Sequence, residues 1–235
     1  MIFPCIDLMN GKVVQLVQGR DKALEGGTPL EMLRTFAAFP EIQVVDLDAA
    51  KGDGDNSRIV ELLASRAKCR VGGGVRTPDR ASRLIEQGAW RVIVGTAAFT
   101  PALAEIASAV GKERVIVALD SRDGRVVIEG WQKATAVTAE DAIRRLEPLC
   151  GGFLCTYVDK EGMLEGTDLD WFRRLRAATG HELTAAGGIT TLHDIRALQA
   201  MKVHAALGMA IYAGRLDLNE LAGMNRPGGE FPSGS

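Results

Sequence analysis

Along this chain, short runs of β-branched and other apolar residues alternate with longer stretches in which apolar positions recur every three or four residues. The first kind of run has the length of a buried strand and the second the period of an amphipathic helix. Their close, even alternation predicts repeated βα units on a parallel sheet. Eight strand segments are predicted: Ile2–Leu8, Ile42–Asp48, Cys69–Val71, Arg91–Val94, Arg114–Asp120, Gly152–Val158, Glu182–Ala186 and His204–Leu207. Helical spacing follows the third segment in Ala81, Leu84 and Ile85, and the fifth in Ala142, Ile143, Leu146 and Leu149. Thr28-Pro29, Thr77-Pro78 and Thr100-Pro101 predict helix starts, the hydroxyl capping orphan N–H groups and proline fitting the first turn; Glu31 completes a capping box with Thr28. Eight units in 235 residues predict an α/β fold, a (β/α)8 TIM barrel forming one domain over residues 1–224, with little room for insertions. An open doubly wound sheet is the alternative. It would place G-x-G-x-x-G after the first strand, where Asp7–Lys12 reads as a strand end and tight turn. Residues 225–235, rich in Gly, Pro and Ser, read as a flexible tail.

The chain also repeats itself. Asp7 with Asn10-Gly11-Lys12-Val13-Val14 is matched 113 positions on by Asp120 with Asp123-Gly124-Arg125-Val126-Val127. At the same offset Asp46 and Asp48 fall on Asp159 and Glu161, and Gly95 on Gly208; Gly73-Gly74-Val75 falls on Gly187-Gly188-Ile189 at 114. This register predicts two related half-barrels, about 1–112 and 113–224. Asp7 and Asp120 would then close strands one and five on opposite sides of the barrel mouth.

Active sites of this fold lie at the C-terminal ends of the strands. Two carboxyl groups facing each other there can serve one substrate as base and acid, provided their surroundings separate their pKa values. An aspartate at a strand end can also simply open a turn. Two in matching places, each behind a buried apolar run, need a stronger reason. Gly72-Gly73-Gly74 with Gly95-Thr96, and Gly187-Gly188 with Gly208, are turns where bare backbone N–H groups could approach phosphate, although glycine also serves a tight turn alone. Two such sets point to a long, bisphosphorylated small molecule. Trp131 could stack on a planar base or sugar, or cover the barrel rim.

Composition narrows the classes. A net charge of −2 without a basic run argues against a nucleic-acid partner, and no apolar run approaches the roughly 18 to 20 residues of a membrane span. Asp7 interrupts the N-terminal apolar run too early for an export signal, so a cytoplasmic location is expected. Cys5, Cys69, Cys150 and Cys155 form no C-x-x-C and read as reduced, buried thiols. His181, His193 and His204 share no metal-ligand spacing and read as structural or solvent-facing, and Arg173-Arg174-Leu175-Arg176 as a solvated helix face.

In Cys5-Ile6-Asp7-Leu8, Leu16-Val17-Gln18-Gly19, Val45-Asp46-Leu47-Asp48-Ala49-Ala50-Lys51-Gly52, Gly72-Gly73-Gly74-Val75-Arg76, Val94-Gly95-Thr96-Ala97-Ala98, Ala118-Leu119-Asp120, Gly130-Trp131 and Ala186-Gly187-Gly188-Ile189, the chain resembles the phosphoribosyl isomerase family of histidine biosynthesis over nearly its whole length. The resemblance implies a two-half barrel without cofactor or metal, acting as a monomer on a small bisphosphorylated substrate. The implied reaction is an Amadori rearrangement of an aminoaldose to an aminoketose. It implies Asp7 as general base and Asp120 as general acid, Gly74 and Thr96 at one phosphate, Gly188 and Gly208 at the other, and Thr156 at the centre. Gly19, Gly73, Gly95, Gly187 and Met209 join the substrate-binding set. Glu161, where many members carry Asp, is either a rival proton donor or a solvated loop charge. Gln15 stands where members usually carry Arg, Tyr157 where many carry Asp, and Ala186 where Ser is common. Three other readings stay open: the related cyclase of imidazole glycerol phosphate synthase, which usually shows Asn in place of Gly95; a bifunctional isomerase also accepting phosphoribosyl anthranilate; and a non-catalytic sugar-phosphate binder.

Overall fold

The computed structural model describes residues 1–17 and 21–225. Eight parallel strands close into a barrel: β1 (Ile2–Met9), β2 (Ile42–Asp46), β3 (Cys69–Gly72), β4 (Arg91–Val94), β5 (Val115–Arg122), β6 (Gly152–Tyr157), β7 (Glu182–Ala186) and β8 (His204–Leu207). Each pairs with the next, and β8 returns to β1 with Ala205 opposite Ile2. Helices pack on the outside, so strand residues of one parity face the helices and those of the other face the barrel axis.

That alternation stacks the interior in layers. At the floor, Arg70 is 1% exposed. Its Nη2 donates to Glu41 at 3.1 Å and Glu182 at 2.8 Å, its Nη1 to Thr184 at 3.2 Å, and its guanidinium lies 3.6 Å from the Phe3 ring centroid. Burial pushes the Glu182 carboxyl up, but the charges of Arg70 and Arg91 outweigh it and hold the group below its ordinary value. Above the floor, Cys5, Ile93, Ile116, Leu154 and Ala206 form a small apolar layer with Ala118 and Ala186. Two residues further along β1 and β5 come Asp7 and Asp120. The sequence therefore builds an ionic floor, an apolar plug and an acidic mouth.

Several boundaries differ from the sequence-based expectation. β2 stops at Asp46, not Asp48, because the Asp46 carboxylate caps helix Leu47–Lys51 by accepting from Ala49 N–H at 3.1 Å. β6 gives way at Val158 to a 3-10 turn, Val158–Lys160, and Arg114 belongs to the 3-10 turn Lys112–Arg114 that precedes β5. Thr28 and Thr77 cap their helices, Thr28 with the full capping box. The helix after Thr100-Pro101 starts only at Ala102 with Pro101 at its cap, while the Thr100 hydroxyl donates to Ala97 O at 2.8 Å and accepts from Ala102 N–H at 3.3 Å. Arg176 is not simply solvated: it donates to His181 O at 2.9 Å and closes its helix's C-terminus. Asn225 is tied down, accepting from Ile2 N–H at 2.7 Å and donating to Ile2 O at 3.0 Å. The rest of the expected tail, 226–235, lies outside the described residues. All four cysteines are buried and free.

The tight turn expected in Asp7–Lys12 is present, Met9 pairing with Lys12 across Asn10-Gly11, but it and its counterpart after Asp120 each open an antiparallel ribbon that was not expected. β1 runs on to Met9 and folds back as an antiparallel ribbon through Lys12–Val17 and Asp21–Glu25; β5 runs on to Arg122 and does the same through Arg125–Ile128 and Lys133–Thr138. Both ribbons begin with paired left-handed residues, Asn10 (φ 51°) and Gly11 (75°), Asp123 (49°) and Gly124 (73°), the backbone that Asn-Gly and Asp-Gly supply most cheaply. Each first turn residue is held alike: Asn10 N–H donates to Asp48 Oδ2 at 2.6 Å and Asp123 N–H to Asp159 Oδ2 at 3.0 Å. Asp48 therefore corresponds to Asp159, and the offset of 113 fails there. Asp7 lies opposite Val45 and Asp120 opposite Thr156, so the second strands are related by 111. Glu161 thus corresponds to Ala50, not to Asp48, and has no counterpart carboxyl in the first half.

Candidate active site

At the C-terminal ends of the strands opens a cavity of about 930 Å³, lined by Asp7, Asp120, Glu161, Thr156 and Trp131. Gly73, Gly74, Gly95, Thr96, Gly187, Gly188, Gly208 and Met209 line it too. Every candidate residue is brought to one cavity except Gly19, which lies outside the described residues.

Three carboxyl groups converge here. Asp7 sits on β1 where the strand leaves the barrel to become ribbon, and burial pushes its pKa up to about 7. Glu161, just past the 3-10 turn after β6, is pushed up to about 8 by burial and by the nearby charges of Asp7 and Asp120. Both effects favour its protonated form, and it lines the cavity rather than facing open solvent. Burial also raises Asp120, but hydrogen bonds from the Thr156 hydroxyl and the Trp131 indole draw part of the rise back by favouring the anion. The indole Nε1–H donates to Asp120 Oδ2 at 2.7 Å, so Trp131 does more than cover the rim; this bond lies in the ring plane and leaves the ring faces unengaged by it.

The glycines divide into two kinds. A Cβ at Gly73 would lie 2.1 Å from Asp46 O and one at Gly187 2.4 Å from Tyr157 O, and both residues have φ values, 105° and 91°, that side chains avoid. The crossing of one strand end over its neighbour demands glycine at both. Gly95 is different: nothing lies within 4 Å of a Cβ there, so no neighbouring atom excludes a side chain, and only its backbone (φ −91°, ψ −113°), outside the usual α and β regions, favours glycine. It precedes the 3-10 turn Thr96–Phe99, as Gly208 precedes the short helix Met209–Tyr212, and neither turn has a side-chain cap. A Cβ at Gly208 would meet the Gln15 side-chain oxygen at 2.4 Å.

Three residues at the cavity were given no role from sequence. Arg76 donates to Ala49 O at 3.2 Å and Ala50 O at 2.5 Å, fixing the helix after β2; its only signal is its place two residues after the glycine run. Gln15, 3% exposed, reaches from the first ribbon to the Gly208 turn, and its Nε2 donates to Val14 O at 2.9 Å. Glu129 N–H donates to Thr96 Oγ1 at 3.1 Å, a contact between distant loops that no local pattern marks. Among the described residues no group of three or more His, Cys, Asp or Glu is arranged to hold a metal ion, and no helix is long and apolar enough to cross a membrane.

The chain is similar to curated proteins of several organisms. A relative from Myxococcus xanthus is 41% identical over 230 residues, which cover 93% of this chain and 96% of its own. One from Methanopyrus kandleri is 39% identical (92% and 94% covered), and one from Methanocaldococcus jannaschii 35% identical (94% and 97% covered). Each is named 1-(5-phosphoribosyl)-5-((5-phosphoribosylamino)methylideneamino)imidazole-4-carboxamide isomerase. The model of the family described as "Histidine biosynthesis protein" matches residues 1–217. With this match across almost the whole barrel, the chain belongs to that histidine biosynthesis family.

Proposed function

We propose that this chain is an isomerase that performs the reaction its relatives are named for, converting a bisphosphorylated aminoaldose into the aminoketose by an Amadori rearrangement. The observation that carries the reading is the meeting of Asp7, Asp120 and Glu161 at one barrel mouth, all with raised pKa values, in a chain of this family. The relatives' shared name favours it over the cyclase and over a silent binder.

The chemistry asks for two proton transfers at neighbouring atoms. An acid protonates the furanose ring oxygen, the ring opens to a Schiff base, a base removes the C2 proton, and the resulting enaminol ketonises. A base does most when its pKa lies near working pH, which is where burial puts Asp7. Asp120 is the proton donor in this reading. Glu161 is the protonated neighbour whose neutral form keeps a third negative charge out of the mouth. One phosphate sits over the Gly95–Thr96 turn beside Gly74, the other over the Gly208–Met209 turn beside Gly188, their separation matching a long substrate.

The test is turnover by the purified chain with the histidine-pathway aminoaldose and phosphoribosyl anthranilate in parallel. Conversion of the first supports the reading; conversion of both makes the enzyme bifunctional; conversion of neither contradicts it.

A further inference from the structure

The ribbon that rises from β5 turns back through three successive left-handed residues, Glu129 (φ 57°), Gly130 (63°) and Trp131 (68°). Left-handed backbone is unusual for a tryptophan and persists only where neighbouring contacts hold it. Two contacts do so. Glu129 N–H is anchored on Thr96 Oγ1 at 3.1 Å, and the Trp131 indole N–H is anchored on Asp120 Oδ2 at 2.7 Å. The turn thus bridges a residue assigned above to a phosphate and the residue assigned as proton donor.

An indole nitrogen is a donor only, so the Asp120 oxygen it meets must act as an acceptor. Thr156 supplies a second hydrogen bond to the same carboxyl. Both bonds favour the carboxylate over the acid, and so work against Asp120 as a proton donor for as long as they last. We propose that Trp131 is a positioning residue that parks Asp120 in the substrate-free protein, and that substrate binding must break the indole bond before Asp120 can donate its proton. The inference rests on the assignment of Asp120 as donor. On release, Asp120 takes up one proton from water and then passes it to the ring oxygen, so the proton count balances. Of the other titratable groups around Asp120, Glu161 feels both Asp7 and Asp120 across the mouth, and the Cys155 thiol lies behind on β6. Neither is a cation that could replace the indole in holding the anion.

Trp131→Phe keeps an aromatic ring at the rim and removes only the N–H. Two measurements on the full chain separate the inference from the assignment beneath it. In the substrate-free protein, carboxyl ¹³C NMR should show the Asp120 midpoint moving up by about one pH unit in Trp131→Phe, the order expected for a hydrogen bond to a charged group. In the kinetics, a proton donor gives a limb on the alkaline side; kcat/KM reports it in the free enzyme and kcat in the complex. For the wild type the kcat/KM limb should lie at lower pH than the kcat limb, and Trp131→Phe should raise the first while leaving the second in place. An unmoved Asp120 midpoint, or two limbs shifting together, overturns the inference. A wild type without turnover would instead sink the functional reading, and the NMR titration would still decide whether the indole holds Asp120.

Discussion

At the scale of single residues, the mouth trades stability for reactivity. Asp7 and Glu161 carry pKa values of about 7 and about 8, far above those of exposed carboxyls, because folding moves them out of water. The sign of the linkage follows. Below about pH 4 both groups are protonated in folded and unfolded chains alike and add no pH-dependent term. Between there and about pH 8 the folded chain binds more protons, so stability falls as pH rises. Glu161→Gln should therefore raise the melting temperature at pH 9, with a gain that shrinks toward pH 4; a constant gain would mean that packing, not charge, is responsible. The same variant separates the two candidate acids. With Asp120 as donor, Asp120→Asn removes the alkaline limb of the pH–rate profile while Glu161→Gln keeps it, and the opposite result transfers the role to Glu161.

Among the elements, the contrast between Gly73 and Gly95 gives the cleanest test of which turns serve the fold and which serve a ligand. Gly73→Ala drives a Cβ into the backbone of Asp46 and should destabilise the chain by several kcal/mol, on the order of other forced-strain substitutions. Gly95→Ala meets nothing in the protein, so it should cost less stability than Gly73→Ala, about 1 kcal/mol from its backbone conformation alone. It should still raise KM by crowding the phosphate. Thermal denaturation beside KM measurements checks both; a normal KM for a stably folded Gly95→Ala would remove that turn from the phosphate site. The elements also show what was legible in sequence. All eight barrel strands could be read because each is a short apolar run closed by Gly, Asp or a cap, signals local to the run. The two ribbons could not, since their outer strands mix charge and small residues, and Asn10-Gly11 and Asp123-Gly124 mark only the turns that open them. The Asp46-to-Asp159 match misled because two acidic residues two apart recur in both halves, and only strand register shows which pairs correspond. Arg70 with Glu41 and Glu182, and Trp131 with Asp120, join residues far apart in the chain and acquire meaning only when the barrel closes.

For the molecule as a whole, floor and mouth divide the labour: ion pairs close one end, an apolar layer seals the middle, and the acidic end is left for chemistry. Removing the floor cation should be costly, because Arg70→Ala takes the central partner from buried Glu41 and half-buried Glu182, leaving them only the more exposed Lys68 and Arg91. About 3 to 5 kcal/mol is the usual scale for breaking a buried pair, while Arg70→Met, which refills the volume, should lose less. Denaturant unfolding of both variants checks this. The central claim is that carboxyl groups at the mouth carry the isomerisation, and it is tested most directly by kcat of Asp7→Asn with the bisphosphorylated aminoaldose. Asparagine keeps the shape and removes the base. The account predicts a fall in kcat of roughly 10²- to 10⁴-fold, with substrate still bound and the fold intact. Near-normal turnover by a folded Asp7→Asn would contradict it.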